Sequence, residues 1–464
     1  MPTFSLQNFG CRATEADATA LRRQLLARGL HPANEHASAD VVVLNTCTVT
    51  AAADSQARDT VRKIHRDNPA ARIIVTGCYA QRAPEELAAI DGVTLVVGNS
   101  HQSAIPAAAA ALLPQAADGQ ARPFDSNTVG RDFVPLAQLS AGPMSLARGP
   151  ARILTADIFA QTAVQIAAAG LAGAGVEDRT RPILKIQDGC NNRCAYCVIP
   201  LVRGRSRSLP PEEVIAQVRQ LHAAGAREIV LSGINMGSYG RDFVPRGSLA
   251  ALVRRILDET AIEQVRFSSI EPQDVTGDFV SLVAASRRLA PHFHVPLQSG
   301  CDRILRAMRR WYRAEHYAER IALIHRLLPD AAIGADVIVG FPGETDADFR
   351  ATSDFIERLP FSYLHVFSFS ERPGTAAEKL ATRVPPPEIR ERARALRDLS
   401  QRKWSEFRAN QAGRPLRALT LHRQGEDWTE ALTGNYLKVR VPGLYPANQW
   451  HEVTVSPGAP SAAS

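Results

Sequence analysis

Short apolar runs alternate with amphipathic stretches through the first hundred residues. Thr3–Phe9, Val41–Asn45, Ile73–Gly77 and Thr94–Gly98 have strand length and strand composition. Between them, Glu15–Gly29, Ala51–Asn68 and Pro84–Ile90 carry a helical period, the last with a proline in its first turn. Strands separated by helices pair in parallel through crossover connections. The pattern therefore predicts an N-terminal doubly wound parallel α/β domain over residues 1–112.

The regularity lapses over 113–181, which reads as a linker with scattered Gly, Pro and Arg. Within it the Ala-rich stretch Ile153–Val176 could form a surface helix. Alternation resumes at Pro182. Strand-like segments are Ile183–Gln187, Glu228–Ser232, Gln264–Ser269, His292–Leu297, Ile333–Gly340 and Tyr363–Phe369, each followed by a helical one. Six βα units predict a central partial (β/α)6 barrel over 182–412, short of the usual eight. From Gly413 the chain changes to short strands, Leu416–Leu421, Glu430–Leu432, Leu437–Val441 and Glu452–Val455, which predict a small all-β domain over 413–464.

Composition changes this picture little. The chain has 464 residues, 45% of them hydrophobic and 22% charged, which describes a globular protein of several domains. No run of eighteen apolar residues and no signal-type N-terminus occurs, so a cytoplasmic protein without a membrane span is expected. The formal charge of +7 permits a nucleic-acid partner without requiring one. Only five of the 54 basic residues are lysine, so 49 are arginine, and a single arginine carries little information.

The seven cysteines carry more. An odd number, without a signal peptide, argues against a disulfide framework. Cys190, Cys194 and Cys197 form a CxxxCxxC run directly after the first barrel strand, on the face where barrels place their active sites. Three thiolates on one loop can each hold one iron of a 4Fe-4S cluster and leave the fourth iron open to a substrate. Structural zinc is the plain alternative, but no fourth Cys or His stands at finger spacing. Cys11, Cys47 and Cys78 each follow one of the first three strands of the N-terminal domain. The carboxyl ends of neighbouring parallel strands lie together, so these three can converge, although three unrelated buried thiols would give the same pattern. Cys301 has no such partners and reads as a small structural residue.

The motifs Asn45-Thr-Cys-Thr-Val-Thr50, Gly77-Cys-Tyr-Ala-Gln81, Lys185-Ile-Gln-Asp-Gly-Cys-Asn-Asn-Arg-Cys-Ala-Tyr-Cys197, Ser268-Ser-Ile-Glu-Pro272, Pro296-Leu-Gln-Ser-Gly300, Asp336-Val-Ile-Val-Gly-Phe-Pro-Gly-Glu-Thr345 and Arg372-Pro-Gly-Thr375 extend the observation along the chain. Together they resemble the radical S-adenosylmethionine (SAM) methylthiotransferases, and the Thr-Val-Thr and Ser-Ser-Ile-Glu segments resemble the MtaB type. The resemblance implies an auxiliary 4Fe-4S cluster on Cys11, Cys47 and Cys78, and a SAM-binding 4Fe-4S cluster on Cys190, Cys194 and Cys197. It implies a C-terminal TRAM domain that grips RNA, with Arg414, Arg417, Trp428, Tyr436, Lys438 and Arg440 as candidates. The implied reaction methylthiolates carbon 2 of N6-threonylcarbamoyladenosine at position 37 of tRNA, consuming two SAM and one sulfur, with an electron donor such as a flavodoxin or ferredoxin.

At the barrel strand ends, Gly233, Asn235, Glu271, Gln298 and Asp336 are candidate SAM contacts, and Arg203 is a candidate partner for a carboxylate or phosphate. Thr14 and Asp188 depart from the family's usual Asn and Glu. The rival readings are the same chemistry on isopentenyladenosine or on a ribosomal-protein Asp, and, from another class, a non-catalytic iron–sulfur RNA-binding protein.

Overall fold

The computed structural model describes residues 1–113, 150–164 and 180–455. The chain forms two compact units, one of Met1–Thr48 with Ala52–Ile158 and one of Val49–Ala51 with Phe159–Ser464.

In the first unit, strands β1 (Thr3–Asn8), β2 (His31–Pro32), β3 (Val41–Thr46), β4 (Arg72–Gly77), β5 (Val93–Gly98) and β6 (Arg152–Leu154) form one parallel sheet in the order β2-β1-β3-β4-β5-β6. Helices α1 (Arg12–Ala27), α2 (Ala51–Asp67), α3 (Cys78–Arg82), α4 (Pro84–Ala88) and α5 (Ile105–Ala111) accompany it. β3 is buried along its whole length, as its run Val-Val-Val-Leu requires of a strand covered on both faces. α2 buries Ala57, Val61 and Ile64, one stripe at helical spacing, against that sheet.

One expectation needs correction. Residues 150–158 are not linker: Arg152–Leu154 adds a sixth strand beside β5. The β-branched Ile153 packs against the sheet's apolar core, and this tertiary gain outweighs the Ala-rich, helix-like composition that follows it. The remainder of the expected surface helix, residues 165–179, and most of the expected linker lie outside the described residues.

In the second unit, β7 (Ile183–Asp188), β9 (Glu228–Gly233), β10 (Gln264–Phe267), β11 (His292–His294), β12 (Ala332–Val339) and β13 (Tyr363–Ser368) run parallel, and β8 (Arg207–Ser208) pairs antiparallel with β7. Two sheets, β10-β9-β7-β8 and β11-β12-β13, are joined by single parallel bridges, Val265 to Leu289 and Ser269 to His294. The helices are α6 (Ile199–Arg203), α7 (Pro211–Ala223), α8 (Leu249–Glu259), α9 (Gly277–Ala285), α10 (Asp302–Ala307), α11 (Ala314–Leu327), α12 (Asp346–Arg358) and α13 (Pro386–Asn410). Ser248, Thr276 and Thr345 cap α8, α9 and α12, and Thr345 forms a reciprocal capping box with Asp348. These caps fix where each helix begins, and the loops between strand end and cap are left to carry chemistry.

Strands β14 (Pro415–Gln424), β15 (Trp428–Thr433), β16 (Lys438–Pro442) and β17 (Trp450–Thr454) make an antiparallel sheet in the order β16-β15-β14-β17. Its β15–β16 turn enters the amino-terminal mouth of the barrel. Arg266, wholly buried, is held by Glu228 at 2.7 Å and donates to the carbonyls of Gly434 and Thr433 at 2.9 and 3.1 Å. Tyr436 stacks on His292 with ring centroids 4.2 Å apart. Tyr436 is thus spent on this closure, whereas Arg417 over Trp450 and Arg440 over Trp428, at 3.9 and 4.3 Å, form cation–π pairs on the sheet. Among the described residues, no helix is long and apolar enough to cross a membrane.

Candidate active site

β1, β3 and β4 are neighbours, so their carboxyl ends share one edge of the first unit's sheet. Cys11 stands at the N-cap of α1, Cys47 directly follows β3, and Cys78 opens α3 directly after β4. Cys47 and Cys78 are buried and Cys11 is exposed. Two glycines set this edge. A Cβ on Gly10 would lie 2.8 Å from the Cys47 Cβ, and one on Gly77 would lie 2.3 Å from the Thr46 carbonyl oxygen. Thr14 donates its hydroxyl to the Cys11 carbonyl at 2.7 Å, which gives that departure from the usual Asn a local task. The Asn99 amide reaches Cys78 Sγ at 3.6 Å, a contact that no sequence motif signalled.

The second cysteine set lies on the loop after β7. Gly189, at φ +71°, turns the chain so tightly that a Cβ would meet the Arg205 carbonyl oxygen at 2.0 Å. Below the loop, Asp188 is buried between Lys185 at 3.0 Å, Arg203 at 3.0 Å and Arg207 at 3.8 Å. Burial alone would raise its pKa, but these three cations outweigh burial and hold the carboxyl well below its usual range. Gln187 donates to the carbonyls of Asp188 and Gly189 at 2.9 and 2.7 Å and accepts from the Asn235 backbone at 2.8 Å, so one amide ties the loop to the end of β9.

The thiols feel their crowding. Burial, and then the nearby Cys194, push Cys197 up to about 12, and burial raises Cys190 although the Asn192 backbone amide pulls the other way. Thiolates so placed call for positive charge. Arg310 supplies some, with Nη1 3.2 Å from Cys194 Sγ. Among the described residues, neither cysteine set gathers its sulfurs within 4.8 Å of one another. One tetrahedral zinc would hold its thiolates roughly 3.8 Å apart, whereas a 4Fe-4S cluster places each thiolate on a separate iron. The donor sets therefore suit clusters better than a single zinc.

The other expected site residues divide. Gly233 and Asn235 lie beside the loop, with Asn235 Nδ2 3.9 Å from Cys190 Sγ. The side-chain oxygen of Asn235 is buried without a hydrogen-bond partner, an acceptor open to a ligand. Gln298 holds φ +66°, unusual for a residue with a side chain and the kind of strain that gathers at functional sites. Glu271 is ion-paired to Arg310. Arg310 was not singled out by sequence, because nothing separates it from 48 other arginines. Arg203, 1% exposed, faces Asp188 rather than the strand-end surface, so its guanidinium organises the loop from below. Asp336 lies within 3.2 Å of both His294 and His365, neither of which sequence reasoning selected.

A family model described as the Radical SAM superfamily matches residues 184–356, and one described as Uncharacterized protein family UPF0004 matches residues 3–98. The fold is similar to that of the radical S-adenosylmethionine methyltransferase TsrM from Kitasatospora setae, at a TM-score of 0.56 and 16% identity over 81% of this chain and 77% of that one. Fold and strand-end cysteine loop define a radical SAM enzyme. Along nearly its whole length the chain is 35% identical to the threonylcarbamoyladenosine tRNA methylthiotransferase MtaB of Aquifex aeolicus, covering 95% of this chain and 96% of that protein. It is 33% identical to the protein of the same name from Bacillus subtilis over 96% and 91%. It is also 34% identical to the tRNA-2-methylthio-N(6)-dimethylallyladenosine synthase of Thermobifida fusca, over 91% and 78%. The chain belongs to the radical SAM methylthiotransferase family.

Proposed function

We propose that this protein methylthiolates carbon 2 of N6-threonylcarbamoyladenosine at position 37 of tRNA. The observation that carries the reading is the pair of cysteine trios at the carboxyl ends of two parallel sheets, in a chain 35% identical to an MtaB relative over 95% of its length. Cys190, Cys194 and Cys197 would hold one 4Fe-4S cluster with an iron open to SAM, and Cys11, Cys47 and Cys78 a second one. When bound, the barrel cluster and SAM supply a 5′-deoxyadenosyl radical able to open an unactivated aromatic C–H, and the auxiliary cluster supplies the sulfur to be methylated and transferred.

The chain's own residues position these groups. Gln187 and Gly189 hold the cysteine loop against β9, and Arg310 balances thiolate charge beside Cys194. The unpartnered Asn235 oxygen suits the amino group of SAM, with Gly233 leaving room for its backbone. Glu271, aligned by Arg310, and Gln298 suit its hydroxyls. The Arg417–Trp450 and Arg440–Trp428 pairs on the C-terminal sheet offer charge and stacking surface to an anticodon loop. A small donor such as a flavodoxin or ferredoxin would bring electrons, in the cytoplasm.

The test is expression in a host lacking its own threonylcarbamoyladenosine methylthiotransferase, followed by mass spectrometry of digested tRNA. The 2-methylthio-N6-threonylcarbamoyl nucleoside should appear, and should vanish with Cys11→Ala and with Cys194→Ala. Because relatives acting on dimethylallyladenosine are 34% identical to the chain, the isopentenyl product is the second reading. Its appearance alone would keep the chemistry and move the substrate.

A further inference from the structure

We propose that His294, Asp336 and His365 form a mononuclear site for a divalent transition metal inside the barrel, separate from both cysteine sets. Among the described residues they are the one trio of possible ligands whose donor atoms all lie within 4.8 Å of one another. They come from three adjacent strands, β11, β12 and β13. His294 pairs in register with Gly334, two residues before Asp336, and Asp336 stands directly opposite His365. Side chains two residues apart along a strand share a face, so the pairing itself sets the three groups side by side on one wall.

His365 Nδ1 hydrogen-bonds Asp336, whereas His294 Nε2 does not, and the spacing on the His294 side fits a shared cation. His294 Nε2 and His365 Nδ1 each approach the same oxygen, Asp336 Oδ1, at 3.2 Å. Nε2 of His294 is nevertheless a buried nitrogen without a hydrogen-bond partner, because the carboxylate lies off the line its N–H would need. Two ligands bound about 2.1 Å from one metal at octahedral to tetrahedral angles stand roughly 3.0–3.4 Å apart. An off-line nitrogen–oxygen contact of 3.2 Å is the spacing such a pair requires.

The surroundings match a metal site in a second respect. Nδ1 of His294 is 2.8 Å from the Ser269 hydroxyl. Donation of Nδ1–H to Ser269 leaves Nε2 as a lone pair facing the carboxylate, and an outer partner on the second nitrogen is the usual companion of a ligating histidine. His294 is buried, Asp336 partly so, and the His365 side chain is 53% exposed, so the wall is rigid behind and open in front. Two histidines and one carboxylate suit Zn²⁺ or Fe²⁺ and leave coordination positions open to oxygen donors of a bound ligand.

The test uses the full chain with its iron–sulfur clusters reconstituted, so that the cysteines are occupied, dialysed against radiolabelled zinc. One zinc per chain should be retained. His365→Ala, an exposed position that should fold normally, should bind at least tenfold more weakly, as should Asp336→Asn. Ser269→Ala should weaken binding by about 10- to 100-fold through the outer contact. Zinc lodged in unfilled cysteine sites would persist in His365→Ala. Undiminished retention in that variant, or no retention by the parent chain, would overturn the proposal.

Discussion

Replacing Asp188 with asparagine is expected to lower the stability of the barrel unit by about 3–5 kcal/mol, the cost of removing one partner from a buried ion pair. The carboxylate is the shared counter-charge of Lys185, Arg203 and Arg207, all buried. Asparagine keeps the shape and part of the hydrogen bonding, so the change isolates charge. Three cations would then lose the carboxylate they share. In a unit of this size the shift corresponds to a drop of about 10 °C in the thermal midpoint. The loop bearing Cys190 should loosen with it, because Asp188 also accepts the Gly189 amide at 2.8 Å. Circular dichroism melts of the two proteins provide the measurement. Adding Lys185→Met to the variant removes one of the stranded charges and should return part of the loss. A midpoint within about 2 °C of the parent would show that the network is dispensable.

Gly77→Ala should act on the other cysteine set. Gly77 has φ +98° and ψ −161°, a region essentially reserved for glycine. The added methyl would also meet the Thr46 carbonyl oxygen at 2.3 Å and the Thr46 nitrogen at 2.6 Å, backbone atoms that cannot swing aside. Backbone strain and overpacking together should cost at least about 3 kcal/mol. Relief requires β4 to move away from β3, which carries Cys78 away from Cys47. Iron content after reconstitution should therefore fall by about half, with the barrel cluster intact. Gly29→Ala is the control: it also has positive φ, +79°, but nothing lies within 4 Å of its added methyl. That variant should lose only about 1 kcal/mol and no iron. Full iron loading in Gly77→Ala would show that the two strand ends can part without cost to the cysteine set.

What could be foreseen from sequence was what short-range pattern encodes. The alternation of apolar runs and helical periods placed the strands, and the position of each cysteine directly after a strand made convergence a matter of topology. The Ala-rich composition near Ile153 concealed β6, because a three-residue strand is stabilised by its neighbour β5 rather than by its own residues. Arg310 was hidden for the opposite reason. In so arginine-rich a chain, a buried guanidinium with a structural partner looks like any surface one. Asp336 was noticed for its place on a strand, but its partners stand 42 residues before it and 29 after, and only strand register brings them together.

The reach of Arg266 into the β15–β16 turn bears on how this protein can be taken apart. Its side chain is neutralised by the barrel's Glu228 and hydrogen-bonded by two carbonyls of the C-terminal sheet. Cutting the chain after α13 would strip those carbonyls from the guanidinium and uncover the mouth they close, so the barrel left behind would lose both hydrogen bonds and the aromatic contact of Tyr436. The C-terminal sheet is accordingly not an interchangeable attachment. A chimaera that borrows the corresponding sheet from a relative must bring a turn that presents two carbonyls and an aromatic ring at the same positions, or it will inherit a barrel with an open floor.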